Sequence, residues 1–241
     1  VIALFVQYRV VNRSYRGIRL WLLGSSLMAL GFVFMPFVSV ESLLFLAMIA
    51  NPLMALGQIL LYLGIAKFLN KREHRWILSL FFSLFLLAYY YFMFIYSDIA
   101  GRTIVINIAL AIISFLTAYT LLLEKRKFTS TSVKFSALVF ILYGVFLALR
   151  VLWTLNTPQI QNYSDYTFFL NSGFIVTTVA STLWTYGFIL MVNQHLNEEN
   201  RLAKEKMQLV FNTSPDASLI TRLSDGLILD VNAGFVDLTG Y

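Results

Sequence analysis

The sequence contains no cysteine, which removes disulfides, thiol catalysis and zinc–thiolate sites together. Charge is the second scarcity. Asp, Glu, Lys and Arg make up 12% of the 241 residues, against about 25% in an average soluble domain. A water-soluble fold of this size would need those missing charges to clothe its surface. Histidine is scarce as well. His74 and His195 are the only two, and both lie in polar segments, so metal or haem ligation across a bilayer has no donors. Every lysine sits in or beside a polar connector, which excludes a retinal Schiff base inside a span. No glycine-rich phosphate loop, nucleophile elbow or paired-carboxylate constellation occurs, and no catalytic residue is predicted in this chain.

What is plentiful is apolar surface. Hydrophobic residues reach 59%, with 22 Phe and 13 Tyr, and the mean hydropathy is +0.75. The implied solvent is lipid. Apolar runs of about 20 residues follow one another at 18–38, 42–66, 76–96, 103–123, 133–154 and 168–192. Residues 1–8 are too few to cross ~30 Å at ~1.5 Å per residue, and they read as the end of an earlier, truncated helix. The predicted fold class is therefore an all-α polytopic membrane bundle, with six full transmembrane helices plus a truncated first one, over 1–192.

The connectors sort into two alternating sets. One carries Arg9, Arg13, Arg16 and Arg19, then Lys67, Lys71, Arg72 and Arg75, then Lys125, Arg126, Lys127 and Lys134. The other, at 39–41, 97–102 and 155–167, holds Arg102 as its single basic residue. Basic loops stay cytoplasmic, so the net charge of +6 reads as topology rather than as a nucleic-acid surface. The expected location is a bacterial plasma (inner) membrane, multi-pass, with the C-terminus in the cytoplasm. Trp21 and Trp76 at the inner face and Trp153 at the outer face suit interfacial anchors, whereas Trp184 falls nearer mid-membrane and suits helix packing.

Polar groups inside the spans are costly, which makes them candidates for function. Asn51, followed by the helix-bending Pro52, shares the outer half of the bilayer with Asn107 and Arg150, and Gln58 lies two turns below Asn51. Asn51, Asn107 and Arg150 form a candidate ligand pocket open to the outside, with Arg150 facing an anionic ligand or the loop carboxylates of Asp98 and Asp165. The ordinary alternatives are a snorkelling arginine and interhelical amide bonds. Gly24, Ser25, Ala29 and Gly31 form a small-residue stripe with a Ser25-xxx-Ala29 spacing, suited to packing inside the bundle or to a dimer seam.

At Asn193 the composition turns polar. Residues 193–210 read as a cytoplasmic linker helix, where Leu196, Asn200, Ala203, Met207 and Val210 keep a short heptad pattern compatible with a homodimer or with a solvated single helix. Beyond it, 217–221 and 227–231 read as strands around a Ser224-Asp225-Gly226 turn. Asn232 can cap a short helix that ends at Gly240. Two strands and one helical turn cannot bury a core in water, so more chain is expected to follow.

The residues of 211–241 resemble the opening of a PAS domain. The matching positions are Phe211, Ser214, Pro215, Asp216, Asp225, Gly226, Val231, Asn232, Phe235, Leu238, Thr239, Gly240 and Tyr241. About a dozen positions agree in order and spacing, over roughly the first third of such a domain. The ligand-contacting part of the family lies beyond them, so no cofactor carries over, and the cofactor is unknown. A membrane bundle joined by a helix to a PAS domain resembles the front end of bacterial diguanylate cyclases and of sensor histidine kinases of two-component systems. That likeness implies a signal-transduction module in contact with the lipid bilayer. It also implies a homodimer through the linker helix and PAS domain, and an output domain beyond Tyr241, for which the style of the PAS opening favours a diguanylate cyclase. The other readings are a transporter or channel with a regulatory tail, and a passive anchor and dimeriser.

Overall fold

The structure is a computed structural model that describes residues 17–35, 44–124, 130–156 and 167–240. The chain divides into two compact units, Val1–Met191 and Val192–Tyr241. The helices are α1 (Ile18–Phe34), α2 (Leu44–Phe68), α3 (Arg75–Tyr90), α4 (Ile99–Leu122), α5 (Ser130–Asn156) and α6 (Thr167–Thr213). Among the described residues, five helices are long and apolar enough to cross a membrane, and α1 is a shorter apolar helix of 17 residues. The first unit is an all-α bundle of multi-pass membrane type. The truncated first helix expected at 1–8 lies outside the described residues.

Helices α1 and α2 pack backbone against backbone, and glycine makes it possible. Gly17, Gly24 and Gly31 recur every seven residues, as do Ala50, Gly57 and Gly64 on the antiparallel partner. A methyl group on Gly24 would lie 2.6 Å from the Gly57 carbonyl oxygen, and one on Gly57 would lie 2.7 Å from the Gly24 carbonyl oxygen. One on Gly31 would lie 2.8 Å from the Ala50 carbonyl oxygen, and Gly17 abuts the Gly64 carbonyl in the same way. Backbones approach this closely only where side chains are missing, and a strict seven-residue repeat keeps the seam facing its partner along both helices. The stripe read from the sequence is thus half correct. Gly24 and Gly31 pack within the bundle, but Ser25 sits beside the seam and Ala29 is exposed.

Side chains of graded size join the remaining helices. Gly144 of α5 receives the ring of Phe115 from α4. Along α5 the contacts with α6 again fall every seven residues. Ser136 lies on Gly187, Arg150 lies on Gly173, and between them Tyr143 Oη hydrogen-bonds Thr177 Oγ1 at 3.2 Å. Trp184 of α6 stacks on Phe140 at 5.1 Å and meets Tyr143 edge-on at 5.3 Å, so its mid-membrane place is one of helix packing. Trp21 does not behave as an anchor. It is fully buried, and its ring stacks on Phe188 of α6 at 4.1 Å, because the Gly17–Gly64 approach draws the start of α1 into the bundle. Trp76 and Trp153 are exposed, as anchors require.

Helix α3 is the least enclosed, and it ends in a π-helical turn at Tyr91–Ile95. The sequence placed 97–102 in a loop because of its charges. Instead Asp98 caps α4, accepting from Ala100 N (2.9 Å) and Gly101 N (3.0 Å), so α4 starts four residues early.

The second unit holds the last part of α6, strands β1 (Leu219–Thr221) and β2 (Ile228–Val231), and helix α7 (Ala233–Thr239). The strands pair antiparallel, Leu219 with Val231 and Ile220 with Asp230, and the register shifts between Ile220 and Thr221. Gly226 and Gly240 adopt φ of +74° and +78°, the left-handed values that the turn and the helix end require.

A seam of backbone against backbone cannot yield sideways. Gly57→Val is expected to lower the stability of the bundle by about 1–3 kcal/mol. Ala29→Val on the exposed face of the same pair should change it by less than about 0.5 kcal/mol. Steric-trapping or thermal unfolding of the two variants in lipid nanodiscs checks the difference.

Candidate functional site

The three in-membrane candidates have different partners. Asn51 stands on α2 just before Pro52, whose missing N–H frees the carbonyl of Met48. Its Nδ2 donates to Tyr89 Oη of α3 at 3.0 Å, which fastens the lightly packed α3 to the Pro52 turn of α2. Asn107 is buried on α4, and its Nδ2 donates to Thr103 O of its own helix at 2.8 Å. Arg150, near the end of α5, lays its guanidinium on Gly173 of α6, where a methyl group would come within 2.7 Å of Cζ. The Phe146 ring, one turn back, lies 5.9 Å from Cζ, within cation–π range. The two amides thus turn to Tyr89 and Thr103 rather than to each other, and the guanidinium turns to α6. Of the two carboxylates offered to Arg150, Asp98 has both oxygens on backbone N–H groups at the start of α4, and Asp165 lies outside the described residues.

The sequence did not single out Gln58 as a site residue, yet it has the most enclosed polar side chain of α2. It is fully buried, and its Nε2 donates to Ser114 Oγ at 2.6 Å and to Leu110 O at 3.3 Å on α4. Ser114 in turn donates to Leu110 O at 2.8 Å. A glutamine in the middle of an apolar run, with a serine on another run, was the available signal. Single-sequence reading cannot tell which helices touch. Other polar side chains of α4 bond their own helix backbone. Thr117 donates to Ile113 O at 2.7 Å and Thr120 to Leu116 O at 2.8 Å, so their polarity is spent locally.

In the second unit Ser214, Asp216, Ser218 and Phe235 all bond one side chain. Asn232 is completely buried. Its Oδ1 accepts from Phe235 N (2.9 Å) as the cap of α7 and from Ser218 N (2.8 Å) ahead of β1. Its Nδ2 donates to Asp216 O (2.8 Å) and Ser214 O (3.3 Å). Both ends of the amide are satisfied, and the turn after α6 is tied to the start of α7. Gly234 lets the helix come close: a methyl group there would sit 2.7 Å from Pro215 O. Asp225 closes the hairpin, with Oδ2 on Arg222 Nη1 at 3.1 Å and Oδ1 accepting from Leu227 N at 3.2 Å. Phe211 belongs to the last turn of α6, and Tyr241 lies outside the described residues.

Along α6, Arg201 bridges Glu198 (2.7 Å) and Glu205 (2.5 Å), one turn to either side. The hydrogen bond and charge of Arg201 hold the Glu198 carboxyl below its ordinary value. His195 pairs with Glu199 at 3.4 Å on the same helix. No group of three metal-ligating side chains occurs among the described residues.

No protein-family model, curated protein or solved structure matches the chain.

Asn232 offers a sharp test. Asn232→Asp keeps the acceptor for Phe235 and Ser218 but sets a carboxylate against two carbonyl oxygens, so it should be at least as damaging as Asn232→Ala, at about 1–3 kcal/mol. Hydrogen exchange at the Ser218 and Phe235 amides reads this directly. A lowered carboxyl stabilises the helix above the ordinary carboxylate range, and that contribution disappears as pH falls through the lowered value. Amide exchange around Arg201 should therefore show constant protection from pH 8 to about 5 and a loss of protection only below about pH 4.

Proposed function

We propose that the chain is the membrane-embedded sensory module of a bacterial receptor. In this reading the bundle responds to a signal at or in the membrane. A shift of α6 carries that response along the linker segment to a cytoplasmic PAS domain that starts at Phe211 and drives an output domain. A diguanylate cyclase is favoured over a histidine kinase, and the working unit is a homodimer through the linker helix and PAS domain. The observation that carries the proposal is the make-up of α6. One uninterrupted helix of 47 residues holds the packed apolar segment with Gly173, Thr177, Trp184 and Phe188, then the charged segment around Arg201, and ends at the Ser214-Pro215-Asp216 turn. A helix without a proline, glycine kink or cap between those segments transmits rotation or translation from one to the other.

Three features support the bundle end. Arg150 is the one charged group well inside a span of the sequence, it rests on α6 itself, and the socket is a glycine, so nothing larger separates the cation from the helix. A ligand that draws the guanidinium away would change how α6 is held.

Helical phase provides the test. In a fusion of 1–241 to a cyclase reporter, inserting two residues between Asn200 and Arg201 turns the downstream helix by about 200°, whereas inserting seven restores its phase to within about 20°. Output should collapse with two residues and persist with seven, and Arg150→Ala should alter it at least threefold. Equal output from all insertions and from Arg150→Ala would leave the bundle as a passive anchor. Solute flux through the purified bundle in liposomes would instead favour a transporter.

A further inference from the structure

Gln58 and Ser25 leave a donor and an acceptor unused at one place in the bundle. Gln58 Nε2 is engaged by Ser114 Oγ and Leu110 O, but Gln58 Oε1 is buried and accepts no hydrogen bond from the protein. Reversing the amide does not help. The nitrogen would then be the idle atom, and the oxygen would face the Leu110 carbonyl. The Ser25 hydroxyl oxygen is also buried and unbonded.

The glycine seam fixes where these groups lie. Gly24 opposes Gly57 across the α1–α2 interface, and Ser25 and Gln58 each follow a seam glycine by one residue. One residue turns a helix by about 100° and advances it by about 1.5 Å. In an antiparallel pair, equal turns leave the seam on the same side. The two side chains therefore emerge on one flank of the seam, within about 3 Å of each other in depth. That flank is covered. Gln58 reaches α4 through Ser114, and the same flank of α1 meets α6 through Trp21–Phe188 and Phe32–Phe174. In a hydrocarbon interior each unsatisfied polar group costs several kcal/mol, and a bundle does not keep two of them at one level without a shared partner.

We propose that Ser25 and Gln58, whose amide nitrogen Ser114 holds, form an internal site for one hydroxyl group, which donates to Gln58 Oε1 and bonds the Ser25 hydroxyl. A hydroxyl fits because it both donates and accepts. An ion does not, because no side chain of opposite charge stands at this level of α1, α2 or α4: the charged residues of these helices are Arg19, Lys67 and Arg102, each in the first or last turn. The hydroxyl belongs either to a water molecule or to a small uncharged organic molecule. This site is separate from Arg150 and does not depend on the sensory reading.

A double-mutant cycle tests the proposal, because Ser25 and Gln58 share no direct hydrogen bond. In the full chain in nanodiscs, Ser25→Ala and Gln58→Met should each raise the unfolding constant about three- to tenfold, and the double variant should exceed the larger single effect by less than about twofold. Additive effects, or a stabilising Gln58→Met, would overturn the site, since an idle amide is better replaced by a thioether of similar length. Because Gln58→Met also breaks the bond to Ser114, Ser114→Ala serves as the control and should not reproduce the coupling to Ser25. Cross-relaxation between bulk water protons and the Gln58 side-chain amide then separates the sources. Coupling with a water signal identifies water. Coupling without it identifies an organic hydroxyl, to be sought by mass spectrometry of the denatured protein.

Discussion

The membrane unit depends on how closely α1 and α2 approach. Three small residues on each helix, seven apart, leave the carbonyl oxygens of one backbone facing the other, and the opposed glycines allow one register only. That register sets the depth of everything hung on the pair. It puts Trp21 against Phe188, Phe32 against Phe174, and Gln58 beside Ser114, so α6 and α4 are placed by the same seam. From α4 the packing continues through Phe115 on Gly144 to α5, and from α5 through Ser136, Tyr143 and Arg150 back to α6. Five helices thus close a ring, and α3 is attached to it by the Tyr89–Asn51 hydrogen bond and by Leu78, which packs with Tyr62 of α2 and Ile113 of α4.

The ring is held by unlike means. At the α1–α2 seam, backbone meets backbone, with the Met54 side chain laid on Gly31 and Met28 on Gly57. That suits a lipid solvent, which gives apolar side chains no reason to prefer one another. Around α6 the aromatic rings take over. Trp184 lies nearly parallel to Phe140, at 4°, and Trp21 to Phe188, at 3°, so flat faces hold α6 alongside the side chains seated on its glycines. Flat faces resist separation more than sliding. The glycines at positions 173 and 187 mark where polar side chains of α5 find their seats.

The legible part of the fold was what depends on local composition. Apolar runs place the helices to within a few residues, and turn chemistry places β1, β2, Gly226, Asn232 and Gly240. The errors have separate physical causes. Arg102 made 97–102 look like a loop, although one turn of charge at a helix start is compatible with an Asp98 cap. Trp21 looked like an anchor because aromatic residues at span ends so often are, while its burial is fixed by Gly64, 43 positions away. The stripe Ser25-xxx-Ala29 satisfied a four-residue rule, whereas the seam obeys a seven-residue one visible only when both helices are read together. The candidate pocket residues turn to different partners for the same reason. Depth can be counted along one helix, but the direction in which Asn51, Asn107 and Arg150 face is set by the groups that surround them.

The α1–α2 seam also has a consequence for how the sequence can drift. At Gly144 the obstacle to a larger residue is the ring of Phe115, and a smaller residue at 115 can make room. At Gly24 and Gly57 the obstacle is the partner's own carbonyl oxygen, which every amino acid carries unchanged. No second-site exchange on the facing helix can trim it. Positions 115 and 144 are therefore free to vary as a pair. Positions 24 and 57 are each constrained singly, and their apposition leaves no correlated trace in a family of such sequences.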